Sequence, residues 1–464
     1  MRLNNYHSVY FLGIGGIGMS ALARWFNQNN YFVAGYDRTS TELTRRLEAE
    51  NVSIHYQDDV SFIPKRIKEN KDKVLVVYTP AVPARHTELN YLKDQGYTMM
   101  KRSQVLGMIT DKFYTVAVGG THGKTTTSSM VAHLLKQAGR DITAFLGGIA
   151  TDYGSNFIPN RTTEKGTVAV VEADEFDRSF LALNPDIAVV TASDADHLDI
   201  YGSKDSLQVS FRDFIGKIKE GGKLFINDKI ADELTINYTG TVCTYGINRG
   251  QFLAANVTTN NGFFEFDYSD ERHEIKRLKL GVPGFHNVEN VTVAIAIALD
   301  LGLTEQEVRE GVESYSGVKR RFEFILRGEK VVYVDDYAHH PVEIEAFLRS
   351  LKALYPGRKV TAIFQPHLYS RTRDFAEGFA ESLSIADDVV LLDIYPAREE
   401  PIEGVTSDII FENISSASKT LLTKAEVLSL LEGRDMDIVA TIGAGDIDQL
   451  VEPIKHLLSE RYYV

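Results

Sequence analysis

Short apolar runs that end in Gly or Asp alternate with longer amphipathic segments through most of this 464-residue chain. Apolar residues in the longer segments recur with the 3.6-residue period of a helix, whereas the short runs have the length of buried strands. This alternation is typical of βαβ units, whose strands are parallel. We therefore predict an α/β protein, and a chain of this length is expected to form about three domains.

The apolar runs fall into three series, each of which predicts a largely parallel, doubly wound sheet. The first series comprises Val9–Gly13, Tyr31–Asp37 and Val74–Pro80. The second comprises Tyr114–Gly120, Val168–Asp174, Ile187–Ser193 and Lys223–Asp228. The third comprises Val331–Tyr337, Val360–Phe364, Val389–Asp393 and Ile438–Gly445. We predict a Rossmann-like domain over residues 1–110, a central phosphate-loop-type domain over 111–322 and a second Rossmann-like domain over 323–464.

The pattern changes between Cys243 and Leu280, where strands with a period of two, such as Phe263–Tyr268, replace the apolar runs. Such strands have one buried face and predict an antiparallel insert beside the parallel sheet. A helix over 290–300, and another opened by a capping box of Thr304 with Glu307, then complete the central domain.

Charge and composition exclude several classes of protein. The chain has 64 acidic and 50 basic residues, and its net charge of −14 gives no overall basic field to attract nucleic acid. No apolar stretch approaches the roughly 18 residues of a membrane span, and residues 1–5 lead directly into a predicted strand. The single cysteine, Cys243, excludes an intrachain disulfide and a thiolate metal cage, and we expect it to be a buried core thiol. We expect a cytoplasmic protein with no nucleic-acid partner and no membrane insertion.

A glycine motif of the form G-x-G-x-x-G, made by Gly13, Gly15 and Gly18, follows the first predicted strand. Glycines at these positions permit a tight turn that brings backbone N–H groups at a helix N-terminus close to a diphosphate. Asp37 ends the next strand, where a carboxylate accepts ribose hydroxyls. The motif indicates a nucleotide diphosphate, and NAD, FAD and a UDP-sugar all present these groups. The alternative is that the glycines serve only tight strand-to-helix packing.

A second glycine-rich turn, AVGGTHGKTTTSSM, also lies between a predicted strand and a helix. Its core of Gly123, Lys124 and Thr125 is that of a phosphate loop, in which backbone N–H groups hold phosphates, the lysine reaches the β/γ oxygens and the hydroxyl ligates Mg²⁺. Val118 stands where the usual motif has its outer glycine, so Gly119 or Gly120 must take that place. This departure favours an ATP-binding variant.

Acidic residues follow two neighbouring strands of the second series. They are Glu172, Asp174, Glu175 and Asp177 in EADEFD, and Asp194, Asp196 and Asp199, with His197, in DADHLD. Because the carboxyl ends of parallel strands meet at one edge of a sheet, these groups are expected to converge beside the phosphate loop. Mg²⁺ bound to phosphates is the natural occupant of such a site. The alternatives are a solvated acidic loop and a histidine that only caps the loop.

Histidines and arginines follow two strands of the third series. The run DDYAHHP carries Asp335, Asp336, His339 and His340, and the run FQPHLYSRTRDF carries His367, Arg371 and Arg373. The planar guanidinium groups suit bidentate capture of a small carboxylate or of phosphate. One arginine is expected only to face solvent or to begin the next helix. We predict that the paired histidines hydrogen bond to substrate, which we rank above metal binding.

Together these segments resemble the Mur ligases of peptidoglycan synthesis. Matching motifs appear in the family's order along nearly the whole chain: GIGGIGMS, GTHGKTTT, VEADE, DHLD, HNVEN, GVKRRFE, DDYAHHP, FQPHLYSRTRDF, DIYPAREEP and GAGDI. The resemblance implies an ATP- and Mg²⁺-dependent enzyme that joins the carboxylate of UDP-N-acetylmuramate to the amine of L-alanine through an acyl phosphate. It also implies that the UDP-sugar binds the first domain, ATP and Mg²⁺ the second, and L-alanine with the adenine side of ATP the third. A monomer or weak homodimer is expected.

The resemblance assigns roles to the matching residues. The implied catalytic residues are Lys124, Glu172, His197, His339 and Arg371. The implied metal ligands are Thr125, Glu172 and His197. The implied ATP contacts are Gly120, Thr121, His122, Gly123, Lys124, Thr125, Thr126, Asn287, Asn290, Arg321 and Asp336. The implied substrate contacts are Gly15, Gly16, Gly18 and Asp37 for the sugar nucleotide, and His339, His367 and Arg371 for the amino acid.

The sequence departs from the family pattern at two positions. Ala192 stands where the family commonly has an asparagine five residues before the metal-site histidine, and Leu368 stands where it often has an arginine after His367. A related ligase that adds a whole tripeptide is the nearest alternative, although the compact HLYSRTR run argues against a larger pocket. An NAD-dependent dehydrogenase leaves the phosphate loop unused, and a phosphate-loop switch protein leaves the arginines of the third series unused.

Overall fold

The computed structural model of the chain describes residues 3–161, 166–194, 201, 203–260, 262–397 and 399–463. These residues form two compact units. The first unit contains the chain up to Leu253 together with Ser269–His273 and Asn290–Gly311. The second unit contains Ala254–Tyr268, Glu274–Glu289 and the chain from Val312 onward.

The first sheet of the first unit is entirely parallel. Its strands are β1 (Ser8–Leu12), β2 (Phe32–Tyr36), β3 (Ser53–His55), β4 (Val74–Tyr78) and β5 (Thr98–Lys101). They are arranged in the order β3-β2-β1-β4-β5, with the fully buried β1 at the centre. The order reverses at β1, which is the switch point of a doubly wound sheet where ligands commonly bind.

The second sheet of the first unit is parallel except at one edge. Its strands are β6 (Tyr114–Gly119), β7 (Ile142–Ala150), β8 (Ser155–Ile158), β9 (Val168–Glu172), β10 (Ile187–Val190), β11 (Lys223–Asn227) and β12 (Thr241–Ile247). Their order is β12-β11-β10-β6-β9-β7-β8, and only the β7–β8 pair is antiparallel. The central position of β6 places the loop that follows it between the ends of β9 and β10.

Helices connect the strands of both sheets. Those before β12 are α1 (Ile17–Gln28), α2 (Glu42–Ala49), α3 (Lys65–Glu69), α4 (Thr87–Asp94), α5 (Arg102–Thr110), α6 (Lys124–Gln137), α7 (Lys204–Ile215) and α8 (Ala231–Leu234). One continuous hydrophobic cluster includes side chains from both sheets and their helices, for example Trp25 and Phe26 of α1 and Phe145 and Phe157 of the second sheet. Burial of this shared apolar surface explains why the two sheets form a single unit.

Three strands with alternating burial lie mostly in the second unit. They are β13 (Phe252–Asn260), β14 (Phe263–Ser269) and β15 (Glu274–Leu280), which are neighbours in that order. In β14 every second residue is buried, which confirms the period-two pattern of the sequence. The helices α9 (Phe285–Asp300) and α10 (Glu305–Ser314) follow.

A six-stranded sheet forms the rest of the second unit. Its strands are β16 (Glu323–Arg327), β17 (Val332–Asp336), β18 (Val360–Phe364), β19 (Asp388–Leu392), β20 (Ser418–Leu422) and β21 (Ile438–Ile442), in the order β16-β17-β21-β18-β19-β20. Only the β16–β17 pair is antiparallel. The accompanying helices are α11 (Pro341–Leu354), α12 (Tyr369–Leu383), α13 (Asp408–Phe411), α14 (Val427–Glu432) and α15 (Val451–Tyr462).

Short 3₁₀ helices complete the secondary structure. They span Leu3–Asn5, Val60–Phe62, Lys71–Lys73, Thr151–Tyr153, Phe176–Ala182, Lys424–Glu426 and Asp446–Leu450. Within the described part of the chain, every helix is too short or too polar to cross a membrane.

The α/β class and the three largely parallel sheets predicted from the sequence are confirmed. Each strand named for the three series is present, with ends that differ by a few residues. Cys243 is buried in β12, as expected for a core thiol. The division into domains at 110/111 and 322/323 stays a prediction.

Candidate active site

The turn between β6 and α6 is shaped by two glycines with positive φ. Gly120 has φ +132°, and a Cβ there would lie only 2.9 Å from the backbone nitrogen of Ala192. Gly123, with φ +79°, is the N-cap of α6, and a Cβ there would lie 2.7 Å from Oδ1 of Asn290. Only glycine fits both the backbone and the space. The turn therefore presents the backbone N–H groups of the α6 N-terminus, which suits phosphate.

Lys124, the first residue of α6, lies over this turn with its side chain 14% exposed. Its Nζ donates to the carbonyl oxygen of Gly120 at 2.6 Å and contacts the carboxylate of Glu175 at 2.8–2.9 Å. Burial acts to lower the pKa of Lys124, but nearby carboxylates, Glu175 first, outweigh burial and raise that pKa above its usual value. The phosphate loop thus holds a positive charge that is fixed in place.

Oxygen ligands for a divalent cation lie beside Lys124. Oγ1 of Thr125 donates to Oε2 of Glu172 at 2.8 Å, and the N–H of Gly147 donates to the same oxygen at 3.0 Å. A Cβ at Gly147 would lie 2.6 Å from the carboxyl carbon of Glu172, so this approach also requires glycine. A hydroxyl and a carboxylate at the edge of a phosphate loop are the donor set that Mg²⁺ prefers. The residues present fit this ion.

The loop after β10 closes the other side of the turn. The N–H of Thr121 donates to the carbonyl oxygen of Ala192 at 3.0 Å, and the N–H of Asp194 donates to Oγ1 of Thr121 at 3.1 Å. Nε2 of His122 lies 3.5 Å from Oδ2 of Asp194. Thr126 is buried in the first turn of α6. Ala192 contacts the phosphate loop through its backbone carbonyl oxygen, so this contact does not require the asparagine side chain that the family commonly has here.

His197, together with Asp196 and Asp199, lies outside the described residues. The predicted approach of this histidine to the phosphate loop therefore stays a prediction. Among the described residues, no group of three or more His, Cys, Asp or Glu side chains is arranged to hold a metal ion.

The glycine turn after β1 is built with fewer side chains. Gly13 has φ +84°, and Gly16 is the N-cap of α1. The N–H of Gly15 donates to Oδ2 of Asp37 at 2.7 Å, and the N–H of Thr39 donates to Oδ1 at 3.2 Å. The structure therefore joins Asp37 to the glycine turn through one of its carboxylate oxygens, and its predicted bond to ribose stays a prediction.

Two ion pairs connect the junction of β5 and α5 to the acidic run that follows β9. Nη2 of Arg102 donates to Oδ2 of Asp174 at 3.0 Å, and Nζ of Lys101 donates to Oδ2 of Asp177 at 2.9 Å. A small cavity of about 90 Å³ lies between the glycine turn and Glu172. Glu172 and the α1 N-terminus therefore border the same cavity. The sequence analysis did not single out Arg102, although it directly follows β5, or Gly147, which lies within β7.

The second unit contains the other predicted ATP contacts. Oδ2 of Asp336 accepts from the N–H of Phe322 at 2.6 Å, and Oδ1 accepts from the N–H of Ala338 at 2.7 Å. Burial raises the pKa of Asp336 to about 7, against the lowering effect of Arg321 and the two N–H groups. Nδ2 of the buried Asn287 donates to the carbonyl oxygen of Pro283 at 2.8 Å.

Two of the predicted amino-acid contacts, His339 and His367, lie close together at the carboxyl edge of the six-stranded sheet. The rings of His339 and His367 are 6.3 Å apart, and His367 stacks on Tyr395 at 5.9 Å. Arg371, in the first turn of α12, is 9% exposed. Leu368 is the N-cap of α12 and has φ +69°, an uncommon value for a residue with a side chain. The structure thus brings His339 and His367 near one another, and it places the buried Arg371 in the helix that follows His367.

The sequence-predicted residues therefore form two groups within the described chain. The first unit holds Gly15, Gly16, Gly18, Asp37, the phosphate-loop residues 120–126, Glu172 and Asn290. The second unit holds Asn287, Arg321, Asp336, His339, His367 and Arg371. In the first unit, the phosphate loop with a fixed lysine on a parallel sheet defines a nucleotide-triphosphate-binding class of α/β protein.

Three family models match the chain in sequence order. They are the Mur ligase family catalytic domain over residues 8–114, the Mur ligase middle domain over 118–298 and the Mur ligase glutamate ligase domain over 320–445. The chain therefore belongs to the Mur ligase family, whose members are ATP-dependent ligases.

Relatives of high identity cover the full length. A UDP-N-acetylmuramate–L-alanine ligase of Cytophaga hutchinsonii is 47% identical over 100% of this chain and 99% of its own length. One of Christiangramia forsetii is 48% identical over 98% of each chain. The crystal structure of UDP-N-acetylmuramate-alanine ligase from Thermotoga maritima is 28% identical, with a TM-score of 0.79 over 98% of this chain and 99% of that one. A murein peptide ligase from Psychrobacter arcticus, 22% identical with a TM-score of 0.70 over 97% and 98% of the two chains, shares the fold.

Proposed function

We propose that this chain is an ATP-dependent ligase that forms an amide bond between the carboxylate of UDP-N-acetylmuramate and the amine of L-alanine. The observation that carries the proposal is the phosphate loop with Lys124 fixed on Glu175 beside the Thr125–Glu172 oxygen pair. The full-length relatives that bear the name of this activity support the choice of substrates.

The residues of the phosphate loop are suited to bind and orient a triphosphate. The N–H groups at the start of α6 bind the β-phosphate, and Lys124 neutralises charge on the β- and γ-phosphates. Residues Gly120–Thr126 form the rest of this cradle. Thr125 and Glu172, with His197, are the residues that would hold Mg²⁺, which supplies further charge neutralisation when bound.

The reaction needs no nucleophilic side chain. A carboxylate oxygen of the sugar nucleotide attacks the γ-phosphorus of ATP, the bond to the β–γ bridging oxygen breaks, and an acyl phosphate and ADP result. The L-alanine amine then attacks the acyl carbon, phosphate leaves with one former carboxylate oxygen, and the amine loses a proton. The protein contributes position and charge stabilisation to both steps.

The second unit supplies the remaining contacts in this proposal. Asp336 binds the ribose of ATP and Arg321 a phosphate, while Asn287, together with Asn290, contacts adenine. His339, His367 and Arg371 bind L-alanine, with the guanidinium of Arg371 directed to its carboxylate because a planar fork matches a carboxylate. His339 and Arg371 thereby share the catalytic role with Lys124, Glu172 and His197.

The sugar nucleotide binds the glycine turn through Gly15, Gly16, Gly18 and Asp37. The three predicted domains, 1–110, 111–322 and 323–464, correspond to the sugar nucleotide, to ATP with Mg²⁺, and to L-alanine with the adenine side of ATP. We further propose a monomer or weak homodimer in the cytoplasm, where ATP and UDP-linked sugars are available.

The test is phosphate release from ATP in the presence of Mg²⁺, UDP-N-acetylmuramate and L-alanine, with each component omitted in turn. We expect release only when all are present. Activity with the tripeptide L-alanyl-γ-D-glutamyl-meso-diaminopimelate but not with L-alanine would overturn the proposal in favour of a recycling ligase. Reduction of NAD without a requirement for ATP would overturn it in favour of a dehydrogenase.

A further inference from the structure

Arg102 opens α5 and lies directly against the third glycine of the turn after β1. A Cβ at Gly18 would overlap the Nη1 atom of Arg102 and would lie 3.2 Å from its Cδ. The space at Gly18 is therefore filled by a guanidinium group that comes from a segment more than 80 residues further along the chain. The absence of a side chain at this glycine lets a cation reach the first turn of α1.

The other side of the guanidinium contacts the acidic run after β9. Nη2 of Arg102 donates to Oδ2 of Asp174 at 3.0 Å, and the two side chains are 23% and 34% exposed. A partly exposed ion pair of this kind contributes little to stability, because water screens its charges and ordering two side chains costs entropy. The pair therefore opens easily, and a gain in stability does not explain why Arg102 lies at this position.

The cavity between the glycine turn and Glu172 is bordered by both Gly18 and Arg102. Its other polar borders are the carboxylates of Glu172 and Asp174, and the rest is apolar or backbone. Among the described residues that line it, Arg102 is the one cation. A substrate anion that enters this cavity thus meets two carboxylates and a single positive group.

An anion at the glycine turn also faces the carboxylate of Asp37, which accepts from the N–H of Gly15 at 2.7 Å. The partial positive charge of the α1 N-terminus amounts to only about half an elementary charge. A diphosphate beside two or three carboxylates therefore requires a full positive charge. The fork of an arginine matches pairs of phosphate or carboxylate oxygens.

We propose that Arg102 is a substrate-binding residue, which exchanges Asp174 for an anionic oxygen pair of the sugar nucleotide at the first turn of α1. The oxygen pair belongs either to the diphosphate or to the substrate carboxylate. This inference rests on the proposed function, because it takes the sugar nucleotide as the ligand of the glycine turn.

The test compares Arg102→Gln with Lys101→Gln. Lys101 is a matched control because it precedes Arg102 and forms the neighbouring ion pair with Asp177, at 2.9 Å and with side chains 43% and 39% exposed. For Arg102→Gln we expect kcat/KM for UDP-N-acetylmuramate to fall about 10- to 100-fold, with KM for ATP changed by less than about twofold. Lys101→Gln is expected to have the same kcat/KM for UDP-N-acetylmuramate as the unchanged chain. For Arg102→Lys we expect a kcat/KM between those of the two glutamine variants, because lysine keeps the positive charge and lacks the planar, two-pronged guanidinium group.

Calorimetric titration of the same variants with UDP and with UDP-N-acetylmuramate identifies the oxygen pair. Weaker binding of both ligands to Arg102→Gln assigns Arg102 to the diphosphate, and weaker binding of UDP-N-acetylmuramate alone assigns it to the carboxylate. Unchanged binding of both ligands would overturn the inference, as would an equal rise in KM for ATP. If circular dichroism shows that Arg102→Gln does not fold, the same binding criteria are applied to Arg102→Lys. If the unchanged chain has no ligase activity, the proposed function fails, and the UDP titration still decides the role of Arg102.

Discussion

The chain passes from strand to helix through glycines twice in its first unit, and the two turns differ in where their charges come from. After β6, the residues that follow the glycines carry the chemistry themselves, since Lys124 contacts Glu175 and Thr125 contacts Glu172. After β1, the turn GIGGIG has no polar side chain. Its carboxylate, Asp37, comes from the end of β2, and the nearby cation, Arg102, comes from the start of α5.

The two turns show how a short motif relates to its function. The phosphate loop has its cation and one proposed metal ligand in consecutive residues, so the motif itself indicates the class of ligand that binds there. The glycine turn supplies only backbone N–H groups and space, so its ligand depends on side chains that folding brings to it. The following experiments test this contrast.

The largest effect is expected from Lys124→Ala, which removes the cation of the phosphate loop. We expect kcat to fall by about a thousandfold or more, because charge on the transferring phosphoryl group is no longer neutralised. We expect the chain to stay folded. Phosphate release measures kcat, and circular dichroism checks the fold.

Lys136→Ala is the control for this change, because Lys136 lies near the other end of the same helix. It is expected to keep kcat within about twofold. Retention by Lys124→Ala of more than about a tenth of the original kcat would remove the phosphate-loop assignment.

Thr125→Ala is expected to act on the metal requirement. The hydroxyl of Thr125 lies 2.8 Å from the carboxylate of Glu172. Its removal should raise the Mg²⁺ concentration for half-maximal activity by about 10- to 100-fold. Thr125→Ser keeps the hydroxyl and should leave that concentration nearly unchanged. Equal Mg²⁺ dependence of both variants would contradict the assignment of Thr125 as a metal ligand.

Gly120→Ala and Gly18→Ala compare the effect of backbone strain with the effect of displacing the Arg102 side chain. Gly120 has φ +132°, and a Cβ there would lie 2.9 Å from backbone atoms, whereas a Cβ at Gly18 would meet only the flexible end of Arg102. We expect Gly120→Ala to lower the melting temperature by about 5 °C or more. Gly18→Ala should leave the melting temperature nearly unchanged and raise KM for the sugar nucleotide by about three- to tenfold. Equal losses of stability in thermal unfolding would contradict the contrast between the turns.

The smallest effect on activity is expected at Glu88, a buried glutamate beside the first sheet that has no lysine partner among the described residues. Its Oε2 accepts from the hydroxyl of Tyr10 at 2.7 Å, and the neighbouring His55 has a lowered pKa because it is buried. Burial raises the pKa of Glu88 to about 7, in contrast to the Lys124–Glu175 ion pair. The folded chain therefore holds this proton more tightly than the unfolded chain.

The stability that this proton provides is fully present below the ordinary carboxyl pKa and is lost as pH rises through about 7. Thermal unfolding of the unchanged chain and of Glu88→Gln from pH 4 to pH 8 measures this contribution. The free energy of unfolding of the unchanged chain should fall by about 2–3 kcal/mol relative to that of the variant over this range. A difference that is independent of pH would show that Glu88 titrates normally.

Local patterns predicted the strands and turns that hold the site. The apolar runs before Gly13 and Gly119 became β1 and β6, and the residues after them became the two glycine turns. These features depend on neighbouring residues, whose periodicity and φ requirements are visible in the sequence. The short edge strands β8 and β16, each antiparallel to its neighbour, were not predicted, because four or five residues are too few to show a period.

Contacts between distant segments account for what the sequence did not predict. Lys124 and Glu175 are 51 residues apart, and Arg102 and Asp174 are 72 residues apart. Glu175 was one of four acids in one short run, and only folding shows that it is the one buried against the lysine. The approach of Arg102 to Gly18 depends in the same way on how α5 packs beside α1.

In the proposed reaction, the acid is activated by transfer of the γ-phosphoryl group to its carboxylate. Ligation of UDP-N-acetylmuramate labelled with ¹⁸O in that carboxylate, followed by mass spectrometry of the products, shows whether this transfer occurs. We expect inorganic phosphate that carries one ¹⁸O atom, because the carboxylate oxygen leaves with phosphate when the amine attacks. Unlabelled inorganic phosphate, with amide formed at the normal rate, would contradict it.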